Sequence, residues 1–379
     1  MKRRHKKATG TEQTYHPHTQ PIDKPRSHKL AKVRGWVKAH KKLVLILSLV
    51  VLLVGGYAGV LLATRHKILP KPASIAIKKP AVVQKIYSPL TGVEVSKEDS
   101  LRPVTAVMVE NSPEARPQSG IKDAGVVFES VAEGGITRFM LIYQEGKPAL
   151  IGPVRSVRPQ FASWGAAFDA GIAHVGGSNI PLQKLRSGQI KDLDQFFNAS
   201  TYTRVASRAA PHNVYTSADK LDALNKSKGY TSSAFTAWKR KPKDTPSATP
   251  TAKTINVPVS TGVFAASYSW DQATNTYLRN EGGVPHNDRE QGQIAPKVVI
   301  AMQVPHNVIT DSNNYSYPDV NTSGKAWLFQ DGVVSEMTWS KAGDKDQIKF
   351  KDSAGKDAEL NPGQTWITDI PPTSVPTWQ

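Results

Sequence analysis

Twenty consecutive uncharged residues, Leu43 to Leu62 (LVLILSLVVLLVGGYAGVLL), constrain this chain more than any other feature. At about 1.5 Å per residue, a helix over this run spans roughly 30 Å, the depth of a bilayer's hydrocarbon core, and helical hydrogen bonding satisfies every backbone group within it. The run therefore predicts a transmembrane helix. A cleaved signal peptide is the competing reading, with Gly56-Tyr57-Ala58 as a small-x-small cleavage site. Against it, 42 residues precede the run, and its apolar character continues past the supposed cut.

Flanking charge sets the expected orientation, because positive residues resist transfer across a membrane. Residues 28–42 hold six Lys and Arg, whereas residues 63–77 hold three. The N-terminus is expected in the cytoplasm, with 63–379 outside as a single-pass, membrane-anchored extracellular part. Gly55 and Gly59 have the spacing that lets two helices approach closely, so a weak homodimer is an expected partner arrangement beside the lipid bilayer itself.

The formal net charge of +18 is unevenly spread. Residues 1–42 carry 13 basic and 2 acidic residues, residues 43–85 carry 6 and none, and residues 86–379 carry 30 and 29. The near-neutral body argues against a nucleic-acid partner. The basic tail, 1–42, lacks sustained apolar periodicity and is expected to be disordered, attracted to anionic lipid. With no cysteine, the chain has no thiol nucleophile, disulfide, Cys-ligated metal or lipidated cysteine.

Composition divides the exported part. Residues 63–85 form an expected stalk of Lys, Pro and small residues. A basic, Pro-, Ser- and Thr-rich stretch at 237–256 predicts an exposed linker between domains at 86–236 and 257–379. The fold class expected is α+β: a mixed α/β first domain and a mostly β second domain, preceded by the transmembrane helix. In the first, Val126 to Ala132 and Thr137 to Tyr143 flank a glycine turn and predict a hairpin. Pro159, followed by Phe161, Trp164 and Phe168, predicts a helix. Gly171 to Val175 predicts a buried strand, and Thr216-Ser217-Ala218-Asp219 a capped helix closed by Gly229. In the second, strands are expected at Gly262 to Tyr268, Lys297 to Gln303, Ala326 to Phe329 and Thr365 to Ile367.

Several strings in order are more specific than any one alone: Pro89-Leu90-Thr91-Gly92, Arg116-Pro117-Gln118-Ser119-Gly120, Glu133 to Phe139 (EGGITRF), Ile151 to Pro159 (IGPVRSVRP), His174 to Ser178 (HVGGS), Ala210 to Ser217 (APHNVYTS) and Asn361 to Trp366 (NPGQTW). Together they make the chain resemble the YerB-like family of bacterial envelope lipoproteins over most of residues 87 to 370. The resemblance implies a two-part extracytoplasmic domain of unknown biochemical function. Such proteins are typically held by a lipidated cysteine, so the apolar helix would replace that anchor here.

The candidate ligand-binding residues are Arg116, Arg138, Arg155, Arg158, His174, Gly176, Gly177, Arg208, His212 and Asn213, each beside a Gly or Pro turn. A guanidinium presents a planar fork of donors suited to carboxylate or phosphate. Equally, each arginine has Glu110, Glu129, Glu133 or another acid to pair with. His286 and Asp288 form a second candidate patch in a turn-rich stretch. Glu129 and Glu133, on one strand, would lie roughly 13 Å apart, too far for a glycosidase pair. No GxSxG, P-loop, HExxH, EF-hand or GxGxxG motif is present, and no cofactor or metal is expected. The expected function is binding of an anionic cell-wall component, peptidoglycan included, or of an envelope protein. The alternative is a cell-wall-processing enzyme, with His212 and one of Glu129, Glu133 or Asp288 as acid or base.

Overall fold

In the computed structural model, residues 30–65, 84–305, 308–310 and 316–379 are described. The expected stalk, and the tail before residue 30, lie largely outside them. Lys41–Arg65 is one 25-residue helix, long and apolar enough to cross a membrane. Leu30–Ala39 is also helical, where disorder is expected. Leu30, Val33 and Val37 recur at helical spacing, a short amphipathic pattern hidden among the lysines.

Beyond residue 83 the chain forms a separate compact unit around a ten-stranded sheet. In spatial order its strands are Lys349–Lys351, Val333–Ser340, Ser323–Gln330, Val298–Gln303, Thr365–Ile370, Val126–Glu133, Ile136–Tyr143, Thr105–Glu110, Gly171–His174 and Asp192–Asp194. The two sequence-defined halves thus share one sheet: Val126–Glu133 of the first pairs in parallel with Thr365–Ile370 of the second.

Both faces of this sheet are covered, and the period-2 alternation of its strands supplies a core on each. Met108, Phe128, Met140, Ile300 and Ile367 point to one core, where helix Pro159–Ala167 adds Phe161 and Trp164. Val107, Val127, Leu141, Val299 and Trp366 point to the other. That second face is closed by helix Ala218–Ser227, through Leu221 and Leu224, and by a five-stranded sheet contributing Ile255, Val257, Tyr268 and Tyr277. The fold is α+β, with few helices, a large mixed sheet and a mostly β C-terminal part.

Local expectations translate into geometry with small shifts. The hairpin is Val126–Glu133 and Ile136–Tyr143, and Gly134 and Gly135 both have positive φ, 57° and 79°, as a tight two-residue turn demands. Pro159 begins its helix directly after the N-cap Arg158. The later helix is capped by Ser217, whose hydroxyl accepts from the Lys220 amide, so the cap falls one residue later than the Thr216 spacing suggests. In the second half, Gly262–Phe264 is a short 3-10 turn and the strand begins at Ala266.

The stretch 237–256 runs along the surface but is tethered rather than a free linker. The Trp238 indole donates to the Ile348 carbonyl at 2.7 Å. Arg240 donates to Leu90 O at 2.6 Å, Asn361 O at 3.0 Å and Thr365 Oγ1 at 2.9 Å, joining the start of the first half to the end of the second. Gly92 has φ +74°, and a Cβ there would sit 2.6 Å from Arg240 Cγ. The PLTG and NPG strings meet here: Gly363 N donates to Thr91 O at 2.9 Å, and a Cβ on Gly363 would sit 2.7 Å from Lys297 Cγ.

Candidate functional site

Seven strands run the same way: Thr105–Glu110, Val126–Glu133, Gly171–His174, Asp192–Asp194, Val298–Gln303, Val333–Ser340 and Thr365–Ile370. Their carboxyl ends form one edge, where open sheets commonly place ligand-contacting groups. Glu110, Glu133, His174, Asp194 and Asp369 stand at or next to those ends. Arg138, near the start of the antiparallel strand Ile136–Tyr143, joins them as the register partner of Glu110. The Pro153 to Val157 segment follows the same edge, with Arg155 N bonded to Met108 O at 2.9 Å and Val157 N to Gly176 O at 3.0 Å.

A row of arginines and carboxylates results. Arg155 pairs with Glu110 at 3.2 Å, and His212 Nδ1 lies 3.0 Å from the same buried carboxylate. Arg138 pairs with Glu133 at 3.1 Å and donates to Ser156 O at 2.8 Å, while Arg158 contacts the other oxygen of Glu133. Burial lowers the Arg138 pKa to about 10, with the charges of Arg158 and Arg155 acting the same way. Burial works to raise the Glu133 pKa, yet the two arginines outweigh it and hold this carboxyl below its ordinary range. The Nε atoms of Arg138, Arg155 and Arg158 are all buried without a hydrogen-bond partner. Glu110 Oε2 is likewise buried without a hydrogen-bond partner, so donors and an acceptor are both left over in the row.

Other candidates serve the scaffold. His174 is fully buried, with Nδ1 2.8 Å from Gly176 O and Nε2 3.1 Å from Asp192 Oδ1. It ties the strand end to its turn. Gly177 is close-packed, since a Cβ there would lie 2.6 Å from Val157 Cγ1 and 2.9 Å from Val157 O; Gly176, at φ +60°, abuts the Phe196 ring. Arg116 pairs with Glu281 at 3.2 Å and donates to Val263 O at 2.8 Å, joining the two halves. Arg208 donates to Glu114 O and Pro117 O at 2.7 and 2.8 Å, fastening one loop to another. Asn213 accepts from Arg204 at 2.9 Å within a short hairpin.

The second patch is not a surface site. His286 is buried, its Nδ1 accepting from Arg279 Nε at 3.0 Å and its Nε2 3.0 Å from Gln118 Oε1. Burial and the charges of Arg279 and Arg116 push its pKa well below that of an ordinary histidine. Asp288, also buried, accepts from the backbone N–H of Lys122, Glu290 and Gln291, as a turn-forming aspartate does. Glu129 is equally unavailable: it is wholly buried and receives Arg279 at 2.8 Å and the Trp366 indole at 3.0 Å. A bulge between Val131 and Glu133 interrupts the register that would set Glu133 on the face of Glu129.

Glu110 is a further carboxylate of the site, and its position at the end of the mostly apolar strand Thr105–Glu110 is its signal in the sequence. Ser112 Oγ donates to Glu110 at 3.0 Å and lies 3.4 Å from His212 Nδ1. Serine and glutamate both approach the same ring nitrogen, so the trio lacks the two-sided histidine of a serine-hydrolase relay. Among the described residues, no group of three His, Cys, Asp or Glu side chains is arranged to hold a metal ion.

Fold and edge together define a two-part α+β module, its halves fused through one mixed sheet, in a chain that also carries an apolar helix. Residues 90–231 match the family described as "Protein of unknown function (DUF3048) N-terminal domain", and residues 255–367 its C-terminal domain counterpart. The chain belongs to this family. It is 34% identical over 304 residues, 77% of this chain and 88% of the relative, to the "Putative lipoprotein YerB" of Bacillus subtilis. It is likewise similar to the crystal structure of the Bacillus subtilis YerB protein, with a TM-score of 0.70 and 31% identity over 78% of this chain and all of that one.

Proposed function

We propose that the protein is a membrane-anchored envelope module that holds an anionic cell-wall component at the row of Arg138, Arg155, Arg158 and His212. Lys41–Arg65 is the anchor, with the N-terminus cytoplasmic and residues from 63 outside, the orientation favoured by the basic flank. A similar protein's description as a lipoprotein supports an envelope address, and the helix takes the place of a lipidated cysteine that this chain lacks.

One observation carries the reading: three arginines and His212 converge on Glu110 and Glu133 at one sheet edge, with the three arginine Nε donors left without partners. An unpaired buried donor costs about 1 to 3 kcal/mol, and an anion is the usual partner for a guanidinium cluster. Arg155 and His212 keep 25% and 21% of their side chains accessible, so the row is open to solvent at that end. The test is co-sedimentation of the detergent-solubilised full chain with purified peptidoglycan, followed by mass spectrometry of the supernatant. Salt-sensitive pelleting with no new muropeptides is expected. Absence of pelleting overturns the ligand, and released muropeptides overturn the non-catalytic reading.

A further inference from the structure

A groove of about 780 Å³ lies at the far edge of the ten-stranded sheet, beside its terminal strand Lys349–Lys351, away from the arginine row. Its volume is that of an ordinary small-ligand site. Trp238 and Phe350 give it an apolar wall, their ring centroids 5.9 Å apart. The Trp238 indole N–H is already committed to Ile348 O, which fixes the ring in place.

Polar groups in the groove are unevenly satisfied. Gln347 is 7% exposed; its Oε1 accepts from Ile348 N at 3.0 Å, which fixes the amide's orientation and leaves Nε2 buried with no partner. Lys239 is balanced by Asp357 at 3.7 Å. Lys349 and Lys351 have no ion-pair partner among the described residues, and Asp346 is the remaining acid of the lining. Under the groove, the Lys341 ammonium donates to Ser163, Asn321 and two backbone carbonyls, and burial lowers its pKa to about 8. An aromatic wall, an unfilled amide donor and an excess of positive charge match a hydroxyl-bearing ring that also carries acidic groups.

We infer that this groove binds an anionic oligosaccharide, at a site independent of the arginine row. The probes are oligogalacturonate, a neutral malto-oligosaccharide of equal length and inorganic polyphosphate, each titrated calorimetrically into the full chain in detergent. Oligogalacturonate should bind tightest, and Lys349→Gln with Lys351→Gln should weaken it about tenfold, each exposed charge contributing modestly. Gln347→Met should weaken it as well while holding or raising the thermal midpoint, because it removes an unsatisfied buried donor. The weakening by the lysine pair should be the same in an Arg155→Gln background, which separates failure here from failure of the proposed wall-binding row. Equal binding of the neutral sugar, equal binding of polyphosphate, no binding at all, or insensitivity to the lysine pair would each overturn the inference.

Discussion

Arg279 donates to Glu129 at 2.8 Å with both side chains completely buried, and in doing so pins the C-terminal half of the family module to the N-terminal half. The guanidinium also lies 4.4 Å from the Trp366 ring centroid and donates to the Tyr268 hydroxyl. Burial would lower its pKa, but Glu129, Tyr268 and Glu281 outweigh that and raise it, keeping the charge in place. Removing one member of such a pair leaves the other charge buried alone. Glu129→Gln should therefore destabilise the 84–379 unit by about 3 to 5 kcal/mol in urea unfolding, and a joint apolar replacement by less than the sum of the single changes.

Asp369 tests the pH dependence of the same core. Burial raises its pKa from 3.8 to about 7, with the Glu129 charge adding to the shift and the Ser130 hydroxyl opposing it. The folded state therefore holds a proton that the unfolded chain releases at lower pH. This contribution is fully present below about pH 4 and is lost as pH rises through about 7. Glu281, raised to about 7, acts in the same direction, whereas His286, held neutral, acts in the opposite one. Measured against pH, wild-type stability relative to Asp369→Asn should fall between pH 4 and 7; a flat difference would contradict the assignment.

Arg240 predicts how the 237–256 stretch behaves under protease. With its guanidinium bonded to both halves, trypsin should cut this basic stretch slowly in the native protein. Arg240→Ala should make it the first site of cleavage. Rapid cutting of the unaltered protein at Lys239 or Lys241 would show that these bonds do not hold in solution.

Gly177→Ala should perturb the arginine row without touching it. The added methyl would meet Val157 O and Cγ1 inside contact distance, pushing the segment that carries Arg155 and Arg158 away from the edge. A loss of about 1 to 3 kcal/mol in stability is expected, together with weaker wall binding. Unchanged stability would mean that the turn yields more easily than its packing implies.

Topology is open to direct assay. Protease added to intact cells should remove the large C-terminal part and leave a membrane stub containing the Lys41–Arg65 helix. A full-length protected band, or a mature protein starting near Gly59, would contradict the anchored orientation.

The elements with strong local signals were legible from sequence: the EGGI hairpin, the Pro159 helix and the apolar span. What joins them was not. Arg279 lies 150 residues from Glu129, and nothing in local pattern or propensity pairs them, so a basic connector and two composition changes look like two domains. His174 illustrates the limit for the site. A histidine closing an apolar strand beside two glycines suggests a ligand contact, yet Asp192 and Gly176 O satisfy its two nitrogens inside the fold. The arginines of the IGPVRSVRP string were recognisable as an anion-type cluster, whereas their sharing of Glu110 and Glu133 required the sheet to bring three strand ends together.

The most direct measurement of the central claim is wall binding by the full chain carrying Arg155→Gln and Arg158→Gln together, with thermal unfolding recorded on the same sample. Affinity for purified peptidoglycan is expected to drop roughly tenfold or more, as lost charge-assisted contacts require, while a cooperative unfolding transition shows the variant still folded, its midpoint lowered because Glu110 and Glu133 each lose a partner. Undiminished binding by the folded double variant would contradict that claim.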